Sequence, residues 1–188
     1  KENVGSQDQI AASFGGFNKI YFNRDLFRVK PISIKNKRIL ELKRHILLFF
    51  TGVSRLASII EGEKIKNMNL NQNHLEMINN LAKQGEKLLE NNKPIAEFGK
   101  LLHEGWLAKK KLSTGVTTAL IDEMYDDALK AGAIGGKILG AGGGGFIIFF
   151  AEPNKHDQIK KKLSKYLNIP FNFTESGSKV IYNYKESM

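Results

Sequence analysis

Residues 135–145 read Gly135-Gly136-Lys137-Ile138-Leu139-Gly140-Ala141-Gly142-Gly143-Gly144-Gly145 and run directly into Phe146-Ile147-Ile148-Phe149-Phe150. Glycine loses more conformational entropy on folding than any other residue. Four in succession are therefore costly unless the backbone must take positive φ or come close to another group. Amide N–H groups presented by such a loop form a concave, anion-attracting nest, and phosphate is the chemistry that suits it. A flexible hairpin tip would need only one or two glycines. Gly140, Ala141, Gly142, Gly143, Gly144 and Gly145 are accordingly expected beside a phosphate, between a strand ending near Leu139 and another over Phe146 to Ala151.

Common phosphate signatures do not account for the stretch. Gly140, Gly142 and Gly145 satisfy G-x-G-x-x-G formally, but a dinucleotide fingerprint opens a helix and here a Phe/Ile-rich strand follows. A Walker A loop fails at Ala131, where its first glycine belongs, and at Ile138, where Ser or Thr should follow Lys137. H-R-D and D-F-G are absent.

Asp8, in Gly5-Ser6-Gln7-Asp8-Gln9, is the second candidate. In the first turn of a short helix ending at Gly15-Gly16, a carboxylate stabilises the helix by a few tenths to about 1 kcal/mol, and position alone favours that structural role. Between glutamines and close to a Gly-Gly turn, it can also accept a proton from a substrate hydroxyl. Thr51-Gly52-Val53-Ser54-Arg55 reads as a turn opening a helix. Its amides and hydroxyls, with Arg55, could hold an anion, and a plain serine cap explains it equally well. His74 and His103 lie on or beside apolar helical stripes with no second histidine at metal-ligand spacing.

These residues need elements to hold them. Asn18 to Asn23 and Arg28 to Ile34 alternate as strands around an Asn23-Arg24-Asp25 turn. Arg44 to Phe50, almost continuously apolar, reads as a buried strand. From Asn69 to about Lys111 the period is helical, interrupted at Pro94, with Leu81, Leu88, Phe98, Leu102 and Trp106 on the inner face. Thr117 to Lys130 and Lys155 to Leu167 read as helices, and Phe171 to Thr174 and Lys179 to Tyr184 as strands. The order predicts an α+β fold, an antiparallel sheet with helices packed on one face.

The 188 residues suit one core by length, and the absence of cysteine removes disulfides and thiolate metal sites. No apolar run is long enough to span a bilayer, which makes the cytoplasm the expected compartment and leaves no membrane partner expected. Net charge is +10; of the 29 basic residues five are arginine and 24 lysine, scattered among asparagines. Base-edge and bidentate phosphate readers favour arginine, so this is a lysine-rich solvated surface that attracts phosphorylated small molecules, with no nucleic acid expected.

Taken together, Gly5-Ser6-Gln7-Asp8-Gln9 with Phe14-Gly15-Gly16-Phe17-Asn18, Thr51 to Arg55, His103-Glu104-Gly105-Trp106 with Lys109-Lys110-Lys111-Leu112-Ser113, and Gly135 to Phe146 resemble the C-terminal half of GHMP kinases. Within that superfamily the likeness is strongest to the heptose 7-phosphate kinases. It covers essentially the whole chain, and Gly135 to Phe146 is its most specific block. The resemblance implies phosphoryl transfer from ATP, with Mg2+, to the anomeric hydroxyl of a heptose 7-phosphate; an L-fucose or galactose kinase is the first alternative, and a basic nucleic-acid-binding module, suggested by the net charge alone, the weaker one. It makes Asp8 the carboxylate that orients or deprotonates the hydroxyl. Gly140 to Gly145 becomes the floor beside the phosphates, and Gly15, Gly16, Arg55 and Lys110 become substrate-binding candidates. It further implies that residues 1–43 end an N-terminal domain whose earlier half is missing here and that 44–188 form the C-terminal domain. No metal ligand is expected in this chain, and a homodimer is among the expected assemblies.

Overall fold

A computed structural model describes residues 5–24, 26–53, 60, 62 and 71–182. Helix α1 (Gln7–Phe14) stops where Gly15 takes φ 66°, its amide donating to the Ala11 carbonyl. Strands β1 (Asn18–Phe22) and β2 (Phe27–Pro31) pair as an antiparallel hairpin, Ile20 opposite Val29. Helix α2 (Asn36–His45) then runs without a connector into β3 (Ile46–Phe50). The strand expected from Arg44 thus begins two residues later, Arg44 being helical.

Two long helices follow, α3 (Gln72–Glu90) and α4 (Ala96–Lys110), separated at Pro94, as a residue lacking a backbone donor requires. A single 3-10 turn, Thr114–Val116, leads to α5 (Ala119–Lys130), where Thr118 caps by accepting from the Ile121 amide. Strand β4 (Ala133–Ile138), the glycine loop and β5 (Phe146–Ala151) form the second hairpin. The chain continues through α6 (His156–Lys162) to the three-residue β6 (Leu167–Ile169).

The larger sheet has the order β4-β5-β3-β6, antiparallel throughout. Its strands separate the core by period-two alternation. Leu47, Phe49, Ile147, Phe149 and Ala151 pack with Trp106, Ile121, Met124, Tyr125, Ala128, Ile159 and Leu163. Phe150, out of phase with them, joins Leu42, Leu89 and Ile95 in a second cluster against which Ile46, Phe98 and Phe173 pack. The α+β class with an antiparallel sheet is therefore as read, with the main helical layer on the Phe149 side and a smaller cluster around Phe150.

The C-terminal strands expected over Phe171 to Thr174 and from Lys179 are absent among the described residues, which have no regular structure after Ile169 up to residue 182. Their alternating aromatics do other work. Phe173 packs edge-on against Phe17 with ring centroids 4.9 Å apart and against Phe171 at 5.5 Å. No described helix is long and apolar enough to cross a membrane.

Candidate functional site

The glycine loop is held from two sides. Its base is closed by the Leu139 amide donating to Phe146 O at 2.8 Å. The Gly143 amide donates to Val116 O at 2.8 Å and the Gly145 amide to Val53 O at 2.7 Å. Gly145 O in turn accepts from both the amide and the hydroxyl of buried Thr51, each at 2.9 Å. Two amides of the expected nest thus serve the protein's own carbonyls. Among the described residues, the Gly142 and Gly144 amides have no backbone acceptor. Backbone geometry explains the composition: Gly140, Gly142, Gly143 and Gly145 take φ of 67°, 118°, 72° and 84°. At Gly144 a Cβ would lie 2.6 Å from Val53 O. Gly140 O also accepts from the Lys109 ammonium, which lies 3.4 Å from Ile138 O as well.

Asp8 sits exposed in the first turn of α1, whose one buried residue is Ile10. It feels a charge that sequence reasoning considered only as a failed Walker lysine. Burial pushes the Lys137 ammonium below its ordinary pKa, and the Asp8 carboxylate partly opposes that. Lys137 lies three residues before Gly140, so the structure brings Asp8 into the electrostatic neighbourhood of the strand that carries the loop. Lys137 borders, with Lys109, a cavity of about 810 Å3 between the β1–β2 hairpin and helices α3 and α4.

The other candidates are placed differently. Lys110 is engaged by Asp122 at 3.1 Å and stands 5.7 Å from the Trp106 ring centre; Thr117 donates to the same carboxylate at 3.0 Å. A phosphate at Lys110 would have to compete with Asp122. Arg55 lies outside the described residues. Gly15 and Gly16 border a separate, smaller cavity of about 390 Å3 with Phe17, Pro31 and Phe173. Both have structural reasons to be glycine: a Cβ on Gly15 would lie 2.3 Å from the Gly177 amide nitrogen, and Gly16, at φ 68°, donates to Thr174 O.

Behind β4 stands buried Tyr125, which was not singled out from sequence, in contact with half-buried His103. The Tyr125 hydroxyl donates to Gly136 O at 3.3 Å and meets His103 Nδ1 at 2.8 Å, the two rings stacking at 5.9 Å. A Cβ on Gly135 would lie 2.2 Å from the Gly99 carbonyl oxygen and 2.8 Å from the His103 Cβ, so α4 and β4 approach backbone to backbone there. Burial, reinforced by the charge of Asp126, holds the Tyr125 phenol above its ordinary pKa. The available signal was the helical period of α5, which puts Ile121, Met124, Tyr125 and Ala128 on one buried face.

Residues 86–169 match the family described as GHMP kinases C terminal. The chain is 36% identical over 182 residues to the D-glycero-alpha-D-manno-heptose 7-phosphate kinase of Campylobacter jejuni, covering 93% of this chain and 53% of that protein. It is 31% identical over 132 residues to the L-fucokinase/L-fucose-1-P guanylyltransferase of Bacteroides fragilis, covering 66% of this chain and 14% of that one. The crystal structure of a D-glycero-D-manno-heptose 1-phosphate kinase from Bacteroides thetaiotaomicron superposes with a TM-score of 0.67 at 29% identity, over 95% of this chain and 50% of the other. The chain thus spans about half the length of the heptose kinases it matches.

Proposed function

The chain carries a GHMP kinase C-terminal domain, and from that premise we propose that it is part of an ATP-dependent sugar kinase acting on a heptose 7-phosphate. The observation that carries this reading is the 36% identity to a heptose 7-phosphate kinase along 93% of the chain. In the reaction, the anomeric hydroxyl oxygen of the sugar bonds to the γ-phosphorus of ATP while the bond from that phosphorus to the β-phosphate bridging oxygen breaks, releasing ADP. The hydroxyl proton passes to the Asp8 carboxylate. Such transfer depends on positioning and charge stabilisation rather than covalent catalysis. The Gly142 and Gly144 amides are suited to phosphate oxygens, and the bonds from Gly143 and Gly145 to Val116 and Val53 keep them in place.

Among the described residues, no three His, Asp or Glu side chains are grouped to hold a metal ion. The chemistry assigned to this chain rests on Asp8, the loop amides and the nearby lysines. We assign α1 and the β1–β2 hairpin, within residues 1–43, to a domain that the remainder of the protein completes, and residues 44–188 to the C-terminal domain. Helix α2 crosses residues 43 and 44 and so joins the two continuously.

The experiment is ATP turnover by the full-length protein with D-glycero-D-manno-heptose 7-phosphate, beside L-fucose and galactose, for the parent and an Asp8→Asn variant. Turnover of the heptose phosphate that drops by several orders of magnitude in the variant is the expected result. The match to a fucokinase gives the alternative its weight: preference for a neutral sugar would replace the substrate, and an active variant would return Asp8 to a structural role.

A further inference from the structure

Lys137 is an ammonium in search of an anion. It is half-buried on β4 at the edge of the 810 Å3 cavity, whose walls include Ile20, Leu81, Leu89 and Phe98. The other lysines nearest in role already have partners. Lys19 on β1 pairs with Glu86 of α3, and Lys109 donates to Gly140 O. Among the described residues, no hydrogen bond or ion pair engages the Lys137 ammonium, and Asp8 is the acid whose charge reaches it. A partly desolvated ammonium gains from a nearby anion, which makes this position suited to pairing with one. Lysine is a recurrent point-charge binder of phosphate.

The position narrows what that anion is. None of Gly140 to Gly145 lines the cavity, so the space Lys137 faces is distinct from the loop. Asp8 does not itself line the cavity, but its charge reaches Lys137 at the cavity's edge. We propose that Lys137 is a phosphate-binding residue whose ammonium, inside the cavity between the β1–β2 hairpin and helices α3 and α4, takes the phosphomonoester already carried by the sugar substrate. This rests on the sugar-phosphate kinase reading and deepens it, because it names the group that separates a phosphorylated sugar from a neutral one. The burial that lowers the lysine's pKa is what a bound dianion would offset.

The test uses the full-length protein and its Lys137→Met variant. Calorimetric binding of heptose 7-phosphate is expected to weaken at least thirtyfold in the variant, while ATP and dephosphorylated heptose bind within twofold of the parent. Because the substitution removes a desolvated charge, its thermal midpoint is expected to be no lower than the parent's; a purely structural lysine would lower it. Unchanged affinity for heptose 7-phosphate in the variant overturns the proposal. A second measurement needs no mutation: labelling of the parent with an amine-reactive reagent, where heptose 7-phosphate or millimolar inorganic phosphate should protect Lys137 and ATP should not. If the enzyme turns over only a neutral sugar, the kinase substrate proposed above fails, whereas protection by inorganic phosphate reads the anion site independently. Labelling indifferent to both phosphates overturns it.

Discussion

Gly140 and Gly142 both hold positive φ, at 67° and 118°, but their surroundings differ. A Cβ at Gly140 meets nothing within 4 Å, whereas one at Gly142 would sit 2.7 Å from Val116 O and 2.9 Å from Val116 Cα. An alanine at 140 therefore bears mainly the left-handed backbone penalty, about 1 kcal/mol. At 142 the backbone of the 114–116 turn must also move, which strains the Gly143 amide's bond to Val116. We expect Gly142→Ala to lose more than about 2 kcal/mol in urea unfolding, in the range of strongly destabilising substitutions, and Gly140→Ala about half that or less. Equal losses would mean that Val116 does not fix the loop. Lysine placement shows the same dependence on neighbours: from the triplet Lys109-Lys110-Lys111, sequence reasoning selected Lys110, but Asp122 and Trp106 engage that residue, and Lys109 reaches the loop.

At the scale of elements, helix α5 and strand β4 are tied by Tyr125, whose hydroxyl bonds to Gly136 O and contacts His103 on α4. Tyr125→Phe leaves a buried carbonyl without its donor and should cost about 1–3 kcal/mol at neutral pH. The phenol's pKa in the fold is raised above its ordinary 10.0. The associated stability is therefore fully present below about pH 10 and is lost as pH rises through the folded-state value. Urea midpoints of the parent should fall above about pH 10 more steeply than those of Tyr125→Phe; parallel curves would show that Tyr125 does not titrate with folding. The helices α3, α4 and α5 and strand β5 were legible because their apolar periods run long between clear stops at Pro94 and Gly132. Helix α2 was not: Asn36 to His45 is mostly charged and passes into Ile46 with no turn residue between, so the apolar strand signal spread backward onto Arg44. Phe171 and Phe173 alternate like a strand, but packing against Phe17 satisfies that pattern without a ladder partner. Asp8 and the glycine loop could be read as separate motifs; the charge at Lys137 that relates them could not, since it depends on which side of β4 faces the cavity.

Across the whole molecule, the described residues divide into a well-packed half and a thinly supported one. The β4-β5-β3-β6 sheet buries Phe49, Ile147, Phe149 and Phe150 almost completely. The β1–β2 ribbon has two strands only, a size that is marginal in water without further cover. Around it Phe14 is 52% exposed, Phe22 55%, Phe27 51% and Leu26 77%, and α1 has Ile10 as its one buried side chain. Asp8 is thus carried by a thinly anchored helix, while the glycine loop leads into the well-buried strand β5. A carboxylate must be held closely against its substrate to act in phosphoryl transfer, since misplacement by about 1 Å can cost a hundredfold in rate. We therefore expect the 188-residue chain, produced on its own, to bind ATP poorly and to show no turnover with any sugar. Hydrogen exchange should find α1 and the β1–β2 ribbon opening freely while β3 and β5 stay protected, because local stability follows buried contacts. Measurable sugar phosphorylation by this chain alone would show that α1 needs no further cover to place Asp8. Protection of α1 equal to that of β5 would show the same without any substrate.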